Sequence, residues 1–380
     1  MLKIYLIAGE ASGDNIASKL MDALKKQYPD IEFYGVGGSK MQSKGINLLF
    51  PSQDLALMGF FEILPHIPKL FKRIKQTIED ICLLQPDALI TIDSPGFCFR
   101  VAKAVKAKFK GKLIHYVAPT VWAYGLKRAK KIAKIYDYLL VILPFEPEYF
   151  IKEGLATTFV GHPAIEDLKI FPKEIFRKKF KLANDSLLLC LAPGSRKQEV
   201  QALLPVFLDA ASRLSKLINQ KIIIAIPAQE QLKQFIVSYS SELPIILVDE
   251  QDKQMLFSSA DLALSKSGTI TTELAFYKIP MVVAHKVNKF SYWLLKKMIK
   301  VAYVTIINLL AGKEIIPELL QDKCKAELIA DELYRAITPG NKQEWTEEIE
   351  NNLAKLQVDQ EIPSDIAARM ILRLLNKMVT

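Results

Sequence analysis

The chain has 380 residues, with 51 Lys+Arg against 41 Asp+Glu, a formal net charge of +10, and half of its residues hydrophobic. That hydrophobicity excludes a disordered chain, and the length exceeds one small domain at roughly 150 residues per domain. No apolar run approaches the ~18 residues of a spanning helix, no cleavable leader is visible in MLKIYLIAGEASGD, and the cations ask for a phosphate, a nucleic acid or an anionic membrane.

The predicted elements alternate. Leu2–Ala8 reads as a strand, and Asn15–Lys26 as a helix with Ile16, Leu20, Ala23 and Leu24 at helical spacing. Glu32–Val36 and Ile46–Phe50 read as strands. Ala88–Ile92, Leu113–Val117 and Tyr138–Leu143 are further buried strands, with helical stretches between them. After a polar break at Ala183–Ser186 the pattern restarts with Leu187–Ala192, Lys221–Ile226, Pro244–Val248, Asp261–Leu264 and Pro280–Ala284. Such alternation predicts an α/β fold with parallel sheets covered on both faces. The restart predicts two doubly wound, Rossmann-like domains facing a cleft, joined near Gly161–Pro172. We expect an N-terminal domain over 1–165 and a C-terminal domain over 166–340. Helices over 341–380 would then pack across the domains or on a partner chain. Ser364 is the expected N-cap of the last helix, whose stripe is Ile366, Met370, Leu374 and Leu375.

Ligands of open α/β sheets bind beyond the carboxyl ends of strands, so the residues after each strand carry the functional expectation. The first such segment is Gly9-Glu10-Ala11-Ser12-Gly13-Asp14, either a capped turn or a helix N-terminus that receives an anion. It lacks G-x-G-x-x-G spacing, which counts against a dinucleotide cofactor. Asp93, in Ile92-Asp93-Ser94-Pro95-Gly96-Phe97, is placed to act as a general base or to cap a turn. Pro193-Gly194-Ser195-Arg196, with Glu199 three residues on, offers backbone N–H groups and a guanidinium fork to a phosphate. Ser265-Lys266-Ser267-Gly268-Thr269 opens another helix, with Glu273 one turn in, where a carboxylate could reach ribose hydroxyls. Gly194, Ser195, Arg196, Ser267, Gly268, Thr269 and Glu273 are therefore candidates for a nucleotide diphosphate, unless these are ordinary tight turns.

Two stretches have surface character. Residues 94–136 hold eleven basic residues and no acidic one, interleaved with Tyr116, Trp122 and Tyr124. This is a solvated face or a field for an anion, and no nucleic-acid-binding motif accompanies it. In 59–75, Phe60, Phe61, Ile63, Leu64, Ile67, Leu70, Phe71 and Ile74 adjoin Lys69, Lys72, Arg73 and Lys75. Apolar residues bordered by cations mark an interfacial membrane element, and equally an ordinary core-facing helix. Cys82, Cys98, Cys190 and Cys324 lie far apart, and the four histidines show no ligand spacing, so neither a disulfide framework nor a metal is expected.

In order along the chain, AGEASGD (8–14), GVGG (35–38), LMGFFEIL (57–64), IDSPGF (92–97), HYVAPTVWAY (115–124), LPFEPEY (143–149), FVGHP (159–163), LAPGSRKQEV (191–200), SKSGTITTEL (265–274), PMVVAHKVN (280–288) and NLLAGKEIIPELLQ (308–321) resemble the lipid-A-disaccharide synthase family nearly end to end. The resemblance implies an inverting, metal-independent glycosyltransferase of GT-B architecture without a cofactor. It implies transfer of 2,3-diacylglucosamine from UDP-2,3-diacylglucosamine to the 6-hydroxyl of 2,3-diacylglucosamine 1-phosphate (lipid X), on the cytoplasmic face of the bacterial inner membrane. It implies Asp93 as base candidate, Arg196 on the diphosphate and Ser267, Gly268, Thr269 and Glu273 around the nucleotide. Glu10, Ser12 and Asp14 would lie on the acceptor side, with Glu10 a third catalytic candidate. Phe60, Phe61, Ile63, Leu64, Ile67, Leu70, Phe71, Lys72 and Arg73 would meet the anionic membrane. Nucleic acid is not an expected partner, and a homodimer is compatible. Where members read IDAPDFN, this chain has Gly96 and Cys98 in place of an Asp and an Asn, which leaves Asp93 as the carboxylate of that turn. A UDP-sugar epimerase, a transferase with a water-soluble acceptor and a nucleic-acid-binding protein are the competing expectations. Residues 1–165 hold 22 basic and 15 acidic residues, so the positive excess concentrates in the expected acceptor half.

Overall fold

The computed structural model describes residues 1–55, 67–123, 125, 127–286, 301–338, 340 and 342–377. The chain divides into two compact units, Met1–Pro163 with Leu356–Thr380, and Ala164–Lys355. Strands and helices alternate in both, and every strand pairing in both sheets is parallel.

Among its described residues the first unit has seven strands: β1 (Leu2–Ala8), β2 (Ile31–Gly37), β3 (Asn47–Pro51), β4 (Ala88–Ile92), β5 (Lys112–Tyr116), β6 (Tyr138–Val141) and β7 (Thr157–Phe159). Their order is β3-β2-β1-β4-β5-β6-β7. Strand order therefore reverses between β1 and β4, where doubly wound sheets take their ligands. The register Ala8↔Ile92 brings the two strand ends level, so Gly9-Glu10 and Asp93-Ser94 leave the sheet side by side. β1 and β4 are buried almost throughout, as a sheet covered on both faces requires. One face packs against the helices Ala11–Gln27 and Pro363–Leu374. The other packs against Ile67–Leu84, Pro95–Val105, Lys127–Ala133 and Pro147–Ile151.

Among its described residues the second unit has six strands: β8 (Leu187–Ala192), β9 (Ile222–Pro227), β10 (Ile245–Val248), β11 (Leu262–Ser265), β12 (Met281–His285) and β13 (Glu318–Leu320), in the order β10-β9-β8-β11-β12-β13. Its reversal lies between β8 and β11, and Ser265 pairs with Ala192 at the strand ends. The PGSR and SKSGT loops thus emerge as neighbours.

The C-terminal stretch divides between the units. The helix Lys342–Ala354 sits in the second unit, with Ile349 in its core. The helix Pro363–Leu374 returns to the first, where Ile366, Ala367, Ala368, Ile371 and Leu372 pack beside the first helix. Its N-cap is Ile362, and Pro363 takes the first helical position, where a missing N–H costs nothing. The expected cap, Ser364, is buried one position further in.

Candidate active site

In the first unit the turns after β1 and β4 come into close contact. A Cβ placed on Gly9 would lie 2.6 Å from Ser94 Oγ, so a larger residue there would push the two turns apart. Asp93 and Ser94 both adopt left-handed backbone conformations, with φ of 51° and 44°. Two consecutive non-glycine residues in that region store strain, which is a feature of sites whose geometry is set by function. The strained turn is tethered by Asp93 N–H, which donates to Tyr116 O at the end of β5 (3.0 Å). Asp93 is half-buried. Burial first, and the nearby negative Glu10 second, raise its carboxyl above the ordinary range. A carboxylate tuned upward at a strand mouth suits proton abstraction from a hydroxyl. Of its neighbours in the turn, Gly96 is exposed, and Cys98 is a buried thiol pushed up by burial and by the charge of Asp93. Glu10 is exposed at the N-cap of the first helix, and Ser12 is exposed in its first turn.

Asp14, expected on the acceptor side, caps a neighbouring helix. It is 6% exposed, and its carboxylate accepts from Gly38 N (2.8 Å), Met41 N (3.1 Å) and Lys40 N (3.1 Å). These are the donors at the start of the helix Ser39–Ser43, so Asp14 caps that helix across 24 to 27 residues of sequence.

In the second unit the two loops at the reversal differ. Glu199 Oε2 accepts from Ser195 N (3.1 Å) and Arg196 N (3.4 Å), closing the start of the helix Lys197–Leu217 from within. Gly194 has φ of 134°, and a Cβ there would meet Glu199 Oε2 at 2.4 Å. Those backbone donors, expected to meet a phosphate, are therefore spent on Glu199. What this loop presents outward is the Ser195 side chain and the Arg196 side chain, 61% exposed and 4.0 Å from Glu199 Oε1. Glu199 Oε1 also pairs with Lys266 Nζ at 2.7 Å. Burial raises the Glu199 carboxyl, but Lys266 and Arg196 outweigh it and hold it below the ordinary range.

The other helix of the reversal, Thr269–Phe276, starts at Gly268 with no side-chain cap, and nothing lies within 4 Å of where a Gly268 Cβ would be. This is the open helix N-terminus of the pair, and its dipole favours an anion. Ser267 Oγ donates to Val304 O (3.2 Å). Val304 in turn is fixed by Glu318, which accepts from Val304 N (2.8 Å), Thr305 N (2.9 Å), Thr305 Oγ1 (2.7 Å) and Asn308 Nδ2 (2.9 Å). Glu273 is mostly buried and pairs with Lys253 Nζ at 3.1 Å. A ribose at this carboxylate would share it with a lysine. His285, at the end of β12, is held below its ordinary range by burial and by the charge of Lys266, so its imidazole is neutral near pH 7. No cluster of metal-ligating side chains occurs among the described residues.

The family model for lipid-A-disaccharide synthetase matches residues 4–371. Lipid-A-disaccharide synthase from Rickettsia felis is 43% identical over 376 residues, covering 98% of this chain and 96% of that protein. The enzyme of the same name from Rhodospirillum centenum is 39% identical, covering 100% and 96%. The chain belongs to the lipid-A-disaccharide synthase family. It is thereby a glycosyltransferase of lipid A biosynthesis. Its fold is that of GT-B glycosyltransferases and UDP-sugar epimerases. UDP-GlcNAc 2-epimerase from Neisseria meningitidis superposes with a TM-score of 0.64 at 14% identity, over 99% of this chain and 100% of that one. The calicheamicin glycosyltransferase does so with 0.61 at 13% identity, over 100% of both.

For a member of this family, the expected membrane contacts separate by position. Phe60, Phe61, Ile63 and Leu64 lie outside the described residues, as does the side chain of Ile67. On the helix Ile67–Leu84, Phe71 is 59% exposed and Lys72 is exposed. Leu70 instead packs against the core of the first unit. Arg73 stacks over Phe50 at 4.4 Å and pairs with Asp54, so both leave the outward face. That face carries Pro68, Lys69, Phe71, Lys72 and Lys75. No described helix is long and apolar enough to cross a membrane.

Proposed function

We propose that this synthase joins its two sugars by a single in-line displacement with inversion, Asp93 serving as general base. The observation that carries the reading is the Asp93 turn: a strained, tethered, half-buried carboxylate at the reversal point of the first sheet, with its proton affinity raised by burial and by Glu10. The 6-hydroxyl oxygen of lipid X attacks the anomeric carbon of UDP-2,3-diacylglucosamine. Its proton passes to Asp93, and the bond from that carbon to the diphosphate oxygen breaks. The products are the β-1,6-linked disaccharide 1-phosphate and UDP. Negative charge grows on the leaving diphosphate, where a fixed cation and an open helix N-terminus stabilise it. Arg196 and the Ser267–Thr269 loop supply these, which removes the need for a metal. Ser195 contributes a hydroxyl, and Glu273 reaches the ribose once Lys253 yields. Glu10 adds to the proton affinity that burial gives Asp93, and Ser12 lies beside the acceptor. Phe71 and Lys72 rest on the anionic cytoplasmic leaflet, where acyl chains of both substrates reside. Homodimer formation is compatible with this reading and required by none of it.

The test is the product. Purified enzyme with EDTA present should convert UDP-2,3-diacylglucosamine and lipid X to a disaccharide whose new linkage is β by NMR. An α linkage, or activity that EDTA abolishes and Mg²⁺ restores, would overturn the inverting, metal-independent mechanism.

A further inference from the structure

Glu146 is a carboxylate that the mechanism leaves unused. It is 1% exposed, in the turn after β6. Its Oε1 accepts from Trp122 Nε1 (3.1 Å), and its Oε2 from Ile142 N (3.2 Å) and Leu143 N (3.0 Å). None of the groups acting on its proton affinity is charged, and burial pushes the carboxyl up to about 7. A buried carboxylate without a counter-ion is costly, and an apolar residue of similar volume would cost less. What a carboxylate does here that an apolar residue cannot is accept three donors from two different strand exits.

The exit of β5 adjoins Asp93, and that of β6 lies next to β5. Tyr116 O, at the end of β5, holds Asp93 N–H, and Val117 N–H donates to Leu140 O of β6 (3.0 Å). Val117 turns the chain with φ of 72°. In the loop 117–123, Ala118, Val121 and Ala123 are buried, while Thr120 and Trp122 remain half-exposed. The Trp122 ring stands edge-on to Phe145 at 5.3 Å and 88°, so its orientation is fixed from two sides. A half-exposed indole, held in orientation, suits a pyranose, whose C–H face packs on an aromatic ring.

We propose that Glu146 is a positioning residue for the acceptor: by fixing Trp122 it holds the 117–123 loop as the wall against which the glucosamine ring of lipid X sits beside Asp93. This rests on the reading that the first unit takes the acceptor. The experiment compares Glu146→Gln and Trp122→Phe with wild type, measuring transfer against lipid X concentration, UDP affinity by calorimetry, and thermal unfolding. Both variants should raise KM for lipid X about tenfold or more while UDP affinity stays within about twofold. KM for lipid X within about twofold of wild type in folded variants would overturn the proposal. So would a parallel loss of UDP affinity, which marks a general structural defect. Trp122→Phe keeps the ring-on-ring contact and carries the test alone if Glu146→Gln does not fold. Turnover that persists in Asp93→Asn would instead remove the acceptor-side reading, whatever the Glu146 result.

Discussion

At the scale of single residues, three carboxylates of the first unit have been given different work by their surroundings. Asp14 accepts three backbone donors, Glu146 is buried among neutral donors, and Asp93 keeps an elevated proton affinity at a strand mouth. If Asp93 is the base, turnover has an acidic limb above the ordinary carboxylate range, rising with pH as Asp93 deprotonates. Because the charge of Glu10 contributes to that elevation, Glu10→Gln should move the limb to lower pH. An unmoved limb in the pH–kcat profile would remove Glu10 from the account. The raised proton affinity of Glu146 bears on stability. Its folded value of about 7 lies above the ordinary glutamate value of 4.5, so the folded state holds this proton more tightly than the unfolded state. Stability is therefore lost as pH rises from about 4.5 through 7. The stability of wild type minus that of Glu146→Gln, from urea unfolding, should fall by roughly 2 to 3 kcal/mol between pH 5 and 8. A difference independent of pH would show that Glu146 does not titrate as described. The place of Asp93 was legible in the sequence, because a carboxylate directly after an apolar strand is a local pattern. The tasks of Asp14 and Glu146 were not, since their partners lie 24 to 27 residues away for Asp14 and 24 away, at Trp122, for Glu146.

At the scale of elements, the two loops of the second reversal show what local pattern hides. PGSR and SKSGT look alike as small-residue turns before helices. The Arg196-to-Glu199 spacing belongs to a helix that satisfies its own first donors, whereas Gly268 begins a helix that does not. On the proposed function, the backbone share of diphosphate binding falls to the second loop and the side-chain share to Arg196. The helix Ile67–Leu84 shows the same limit in its amphipathic pattern. Periodicity marks an apolar stripe without saying which stripe residues the core absorbs, and Leu70 is absorbed while Phe71 is not. In flotation with anionic vesicles, Phe71→Ser should weaken binding by about tenfold, the loss of roughly 1.5 kcal/mol of apolar burial. Unchanged flotation would place the membrane contact elsewhere on the protein.

At the scale of the whole molecule, the doubly wound pattern was legible because each buried parallel strand is an apolar run and each reversal follows a change in strand neighbours. The return of Pro363–Leu374 to the first unit was not, since its apolar stripe could serve either core. On the proposed function the first unit activates the acceptor through Asp93, and the second holds the leaving UDP through Arg196 and the Ser267–Thr269 loop. One paired measurement tests that division most directly, turnover and UDP affinity determined together on Asp93→Ala and Arg196→Ala. The account predicts that both lose turnover by about a thousandfold, that Asp93→Ala keeps UDP affinity within about twofold, and that Arg196→Ala loses it by about tenfold or more. Near-wild-type turnover in a folded Asp93→Ala protein, or equal loss of UDP affinity in both variants, would contradict it.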